Sequence, residues 1–134
     1  SKPYSNIFVG SRPRTNLQKL NGIDVLINLT SLPNLNIAKK EYQISINETA
    51  FWEPELPKLN GLLDFHHERG DSIFMYCELG VNRSPSVAIA WLLSRGHSLE
   101  ESASLISEGD NTLTSLNQEV FEYNVSRGYI PRLN

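Results

Sequence analysis

The residues with the most chemistry in this chain fall within one stretch, Cys77-Glu78-Leu79-Gly80-Val81-Asn82-Arg83-Ser84, which holds the only cysteine of the 134-residue sequence. An ionised thiol is a strong nucleophile able to form a covalent intermediate. Five residues separate Cys77 from Arg83, a spacing that lets a short loop set a sulfur at one end and a guanidinium across from it. The planar fork of an arginine holds two phosphate oxygens at once. Ser84 adds a hydroxyl that can donate a hydrogen bond to the sulfur and ease its departure as thiolate. Together these residue types suit phosphoryl transfer through a cysteinyl-phosphate.

Such a constellation needs a strand and a helix to hold it. Ser72-Ile73-Phe74-Met75-Tyr76 is apolar and β-prone and reads as a buried strand, while Val87 to Leu93 reads as a helix. The motif therefore lies on a strand-to-helix turn, where the first free N–H groups of the helix point into the loop and form an anion site. Gly80 permits a backbone conformation that a β-carbon resists, and Pro85 suits the first helical turn because it has no N–H to leave unpaired. The amides of Glu78, Leu79, Gly80, Val81, Asn82 and Arg83 are the expected phosphate cradle, and with the Arg83 side chain they favour thiolate.

With its flanks included, this stretch resembles the dual-specificity phosphatase family of the cysteine-dependent protein tyrosine phosphatase superfamily. Asn6-Ile7-Phe8-Val9-Gly10 is similar to the family's opening strand, Leu20 to Leu29 to its first helix end and second strand, and Arg83-Ser84-Pro85-Ser86 through Ala90-Trp91-Leu92 to its central helix. The chain departs from the family pattern at two positions. Tyr76 stands where the family usually has a histidine that orients the loop and favours thiolate, so the resemblance implies slower attack at neutral pH. The general acid, an aspartate in the family, falls here on Glu48 in Ile46-Asn47-Glu48-Thr49, where one more methylene must be absorbed by the loop. Glu53 and Glu55 are fallback acids on the same segment. These departures keep open a second reading, a catalytically weak or dead pseudophosphatase that binds a phosphorylated partner.

Composition bounds the rest. A chain of this length with 40% hydrophobic residues is expected to fold as one domain, residues 1–134, with a real core. A net charge of -3 with no basic run points away from nucleic acid and anionic membrane as partners. No stretch reads as a bilayer span or a signal peptide. The single cysteine excludes an internal disulfide and fits a reducing, cytoplasmic setting, and oxidised Cys77 would need rescue by a backbone sulfenamide or an outside thiol. No metal or cofactor is called for, and a monomer is expected.

Along the chain, Ile7-Phe8-Val9 reads as a strand and Thr15 to Leu20 as a short helix stopped at Asn21-Gly22. Arg12 and Arg14 flank Pro13 as either contacts for a second phosphate or solvated loop charge. Asp24 to Leu29 is the clearest core strand, and Tyr42 to Ile46 a second, after a loop with Lys39-Lys40-Glu41 at an exposed turn. That second strand delivers Glu48 to its carboxyl end, where ligands sit in open α/β sheets. Trp52 packs the base of the following loop or lines the entrance. Lys58 to Arg69 reads as a helix with Leu59, Leu62, Leu63, Phe65 and His66 inward. The adjacent His66 and His67 invite a metal or catalytic role, but neighbouring helical positions diverge and no third ligand shows metal spacing, so packing is the better reading. Arg95-Gly96 stops the central helix. Ser98 with Glu101 has the pattern of a capping box before a helix packed through Leu99, Ala103 and Ile106. Leu116 to Arg127 reads as the last helix; the family resemblance implies a place for Asn117 near the phosphate loop, while its residue type alone suits a polar helix start.

The expected fold is α/β, a small, mainly parallel central sheet flanked by helices with right-handed crossovers, of protein tyrosine phosphatase type. The expected function is metal-free phosphomonoester hydrolysis: Cys77 attacks, Arg83 and the loop amides bind the phosphoryl oxygens, Ser84 assists the sulfur, and Glu48 supplies the proton. Relatives acting on inositol lipids or triphosphorylated RNA often carry Lys or His inside the loop. Here Glu78, Leu79, Val81 and Asn82 offer little positive charge, which favours a phosphoprotein, at tyrosine or serine/threonine, or a small monoester.

Overall fold

The structure, a computed structural model, describes residues 4, 6–13, 17–46, 55–78 and 83–105. Its strands are β1 (Ile7–Ser11), β2 (Val25–Asn28), β3 (Lys40–Gln43) and β4 (Ile73–Cys77), and its helices α1 (Glu55–Glu68), α2 (Arg83–Ser94) and α3 (Leu99–Leu105), with a 3-10 turn at Leu17–Leu20. The four strands form one sheet in the order β1-β4-β2-β3, and every pair is parallel. All carboxyl ends therefore share one edge. Register places Ser11 beside Cys77 and Asn28 beside Tyr76 along that edge.

Strand alternation divides the side chains between two faces. Val9, Ile27, Met75 and Cys77 point toward α1 and α2 and join Leu59, Leu63, Val87 and Trp91 in one core cluster. Tyr76 and Leu26 are fully buried yet lie outside that cluster, on the opposite face. Helix α2 is buried at every position from Arg83 to Leu93 because it packs against β1, β4, α1 and α3. An apolar helix without a polar stripe belongs at the centre of a domain, as this one does. Trp91 is anchored by its indole N–H, which donates to Asp64 Oδ1 at 2.8 Å, and Arg95 binds the same oxygen at 2.7 Å.

The helix ends follow the sequence signals. Gly70 and Gly96 take positive φ angles of 79° and 97°. The following N–H groups reach back, Asp71 N to His66 O at 3.0 Å and His97 N to Leu92 O at 3.2 Å. Both are Schellman stops, in which glycine avoids the penalty of a left-handed conformation. The capping box also forms, with Ser98 N donating to Glu101 Oε1 at 3.0 Å and Glu101 N to Ser98 Oγ at 3.1 Å.

Several expectations need correction. The strand expected at Tyr42 to Ile46 is β3, which starts at Lys40 and stops at Gln43. Beyond it the chain keeps to β2 through Ile44 N to Asn28 O and Ile46 N to Leu29 O. Helix α1 begins three residues earlier than Lys58, at Glu55. Phe65, expected inward, is 56% exposed, because Leu56, Leu59, Leu63 and His66 form the buried stripe and Phe65 falls outside it. Leu99 is likewise exposed at the first position of α3. The last helix expected at Leu116 to Arg127, with Asn117, lies outside the described residues, as does Ile106.

Candidate active site

β4 ends at Cys77 and α2 begins at Arg83, so a strand and a helix place the thiol and the guanidinium at the carboxyl edge of the sheet. Leu79, Gly80, Val81 and Asn82 lie outside the described residues. Glu78, half-buried, is the last described residue before them. Cys77 is buried, its Sγ 3.6 Å from Ser84 Oγ and 3.8 Å from the Gly10 carbonyl oxygen. The Ser84 hydroxyl donates to that carbonyl at 3.0 Å. A hydroxyl has one proton to give, so it can serve a thiolate only by turning from Gly10 to the sulfur. Gly10 is thus a partner of the site that the motif alone does not reveal. Its own backbone geometry is ordinary, but a Cβ there would come within 3.3 Å of the Phe74 ring.

Arg83 is only 7% exposed, and its Nη1 donates to the carbonyl oxygen of Ile46. Its Nε is buried without a hydrogen-bond partner among the described residues. A buried cation is costly unless an anion meets it, and among the described residues no carboxylate pairs with Arg83. Ile46 precedes Glu48 by two residues, so the chain that leads to the expected general acid reaches the guanidinium. Glu48 itself, Glu53, Trp52 and Arg14 lie outside the described residues. The fallback Glu55 opens α1, with Oε2 buried and lacking a hydrogen-bond partner among the described residues.

Tyr76 lies behind this centre. Its ring stacks on Phe74 at a centroid distance of 5.8 Å, and its hydroxyl is buried without a hydrogen-bond partner of good geometry among the described residues. Burial raises its pKa above the ordinary 10.0 and Glu41 adds to this, while the Arg12 guanidinium pulls the other way. The phenol is therefore uncharged at neutral pH and sits on the face of the sheet away from the sulfur. Alternation along β4 makes that orientation readable from sequence.

The histidines serve packing. His66 is buried, with Nδ1 2.7 Å from Asp71 Oδ2 and Nε2 2.9 Å from the Tyr42 hydroxyl. His67 stacks on Tyr4 at 4.9 Å, and burial, helped by Arg95, lowers its pKa from the ordinary 6.5. Among the described residues no cluster of three His, Cys, Asp or Glu side chains could hold a metal. Nor is any described helix long and apolar enough to cross a membrane. A cleft of about 600 Å³ lies at the other edge of the sheet, lined by Lys39, Lys40, Tyr42, Phe65 and Arg69 among others, away from Cys77.

Comparison with known proteins gives a consistent result. The model of the dual specificity phosphatase catalytic domain matches residues 7–121. Protein 123R of Invertebrate iridescent virus 6, whose name designates it a candidate tyrosine phosphatase, is 26% identical over 110 residues, spanning 81% of this chain and 78% of that protein. Tyrosine-protein phosphatase MSG5 of Saccharomyces cerevisiae is 27% identical over 97 residues, 66% of this chain but only 19% of the yeast protein. Among solved structures, human DUSP28 superposes with a TM-score of 0.64 at 18% identity, covering 94% of this chain and 98% of that one. OH1 of Orf virus, titled a tyrosine phosphatase with triple substrate specificity, gives 0.63 at 16% identity, covering 98% and 92%. The expected parallel-sheet fold of phosphatase type is the fold observed.

Proposed function

Because the chain belongs to the dual specificity phosphatase catalytic domain family, we propose that it hydrolyses phosphomonoesters through a cysteinyl-phosphate on Cys77, without metal or cofactor. The observation that supports this reading most is the buried Arg83 guanidinium, with an Nε lacking a partner among the described residues, in the first turn of the helix that also sets Ser84 beside the thiol. A phosphoryl dianion supplies an opposite charge and an acceptor for that Nε.

The Cys77 thiolate attacks phosphorus in line with the ester oxygen. The S–P bond forms, the P–O bond breaks, and Glu48 gives its proton to the departing oxygen. Arg83 and the amides of residues 78–83 hold the equatorial oxygens as charge spreads over them. Glu48 then takes a proton from water, whose oxygen attacks phosphorus. The S–P bond breaks, inorganic phosphate leaves, and the Ser84 hydroxyl turns from Gly10 to the restored thiolate. The substrate is a phosphoprotein, at tyrosine or serine/threonine, or a small monoester. Nucleic acid and membrane are not partners, the protein acts as a monomer in the cytoplasm, and residues 1–134 form one catalytic domain.

The position of Tyr76 favours a second reading, a pseudophosphatase that holds a phosphorylated partner. An uncharged phenol on the far face gives the sulfur none of the help expected of a histidine there. Hydrolysis of para-nitrophenyl phosphate in chelator separates the two. Turnover lost in Cys77→Ser supports the enzyme; no turnover, with vanadate still bound, supports the binder.

A further inference from the structure

Arg12 has no place in the chemistry just given, yet its contacts converge on the end of β4. Its peptide N–H donates to the carbonyl oxygen of Cys77 at 2.7 Å, the contact just before the phosphate loop departs. Its side chain then crosses to the β2–β3 connection, where Nη2 donates to Pro33 O at 2.8 Å near the surface while Nε is buried. It is thus a half-buried charge tied to a backbone carbonyl rather than a freely solvated one.

Two buried polar atoms on this side of the sheet have no hydrogen-bond partner of good geometry among the described residues, Arg12 Nε and the Tyr76 hydroxyl. They belong to residues bound to each other's neighbourhood, since Tyr76 immediately precedes the Cys77 carbonyl that Arg12 holds. One is a donor and the other can accept, and a buried polar group left without a partner is destabilising. The Arg12 guanidinium already acts on the phenol, through its charge and through a hydrogen-bonding approach, against the effects of burial and of Glu41. A small adjustment that lets the two atoms meet would remove both deficits.

We propose that Arg12 is a positioning residue for the cysteine: its peptide N–H and its guanidinium, paired with the Tyr76 hydroxyl, clasp the end of β4 from behind and fix where Cys77 presents its sulfur. This rests on the reading of Cys77 as nucleophile. Misplacing a nucleophile by an ångström costs about a hundredfold in rate, so the clasp has leverage although it touches no substrate. Arg12 and Tyr76 act as a unit, so removing both costs no more than removing either.

The test is a double-mutant cycle on Arg12→Met and Tyr76→Phe, read by kcat per folded molecule with para-nitrophenyl phosphate. Each single change is expected to lower kcat by about ten- to a hundredfold with KM little altered, and the pair no further. Arg12→Lys, which keeps charge but not the fork, recovers only part. Multiplying losses, or losses explained by a fall in Tm alone, would overturn the proposal. A second readout does not depend on turnover: the ring-carbon NMR resonance of Tyr76, identified by its loss in Tyr76→Phe, must move in Arg12→Met. If it stays, the clasp does not exist even if the protein is a phosphatase. If it moves while wild type neither turns over nor binds vanadate, it is the nucleophile reading that fails, and the role for Arg12 with it.

Discussion

Replacing Ser84 with alanine separates the two half-reactions. The hydroxyl lies 3.6 Å from Cys77 Sγ and spends its proton on Gly10 O at 3.0 Å. In the resting protein its loss removes one neutral hydrogen bond, a cost of about 1 kcal/mol and a Tm lower by about 3–5 °C for a domain of this size. During turnover the cost falls elsewhere. A hydrogen bond to a charged group is worth about 1.5–3 kcal/mol, and here it forms as sulfur leaves phosphorus with its negative charge. Breakdown of the phospho-enzyme should therefore slow by about ten- to a hundredfold, while formation, driven by expulsion of nitrophenolate, slows less. Stopped-flow absorbance with para-nitrophenyl phosphate should show a burst of one nitrophenolate per enzyme followed by a slow steady state. A steady-state rate within twofold of wild type, or a burst slowed as much as the steady state, would refute the assigned role and the hydroxyl's turn from Gly10 to sulfur.

Other residues give further checks. Glu48→Gln should slow hydrolysis of alkyl phosphates far more than of nitrophenyl phosphate, whose leaving group needs no proton; equal losses would remove Glu48 from the acid role. Trp91→Phe leaves a smaller ring in the core and deletes the indole donor to the half-exposed Asp64, and should lower stability by about 1–3 kcal/mol in urea unfolding. Asp71 has its pKa lowered, first by its hydrogen bond to His66, so its stabilisation is present above the unfolded carboxylate value and is lost as pH falls through the lowered one. Asp71→Asn should therefore have a lower urea midpoint than wild type at neutral pH, and the gap should close in acid; a gap independent of pH would contradict this. Tyr76→His puts a smaller ring into a filled site on the back of the sheet, so it should lower Tm. Because it also removes the hydroxyl facing Arg12 and sits on the face away from the sulfur, it should lower turnover across the pH–rate profile; turnover raised near neutral pH would contradict this placement.

Much of this could be read from the chain because local signals and tertiary needs agree. Cys77 and Arg83 are placed by a strand and a helix whose apolar runs admit no other position, and Gly70, Gly96 and the Ser98–Glu101 box mark helix ends through backbone chemistry alone. What escaped depends on contacts between distant segments. The Gly10 carbonyl meets Ser84 and Cys77 only because β1 lies next to β4 in the sheet order, and a backbone oxygen leaves no trace in residue identity. Arg12 looked like a loop charge because nothing in its neighbours tells that Pro33 will lie 2.8 Å away. Phe65 lies outward because the apolar stripe of α1 runs through Leu56, which precedes the Lys58 start that the sequence pattern suggests. The Tyr76 side was legible in strand alternation, whereas its partner was not.

The central claim is that Cys77 carries phosphate during turnover. Rapid denaturation of the protein in mid-reaction with a phosphomonoester, followed by peptide mapping, tests it directly. The account predicts phosphate on the peptide containing Cys77, more of it in Ser84→Ala and none in Cys77→Ser. Hydrolysis that proceeds with that peptide unmodified in both wild type and Ser84→Ala would contradict it.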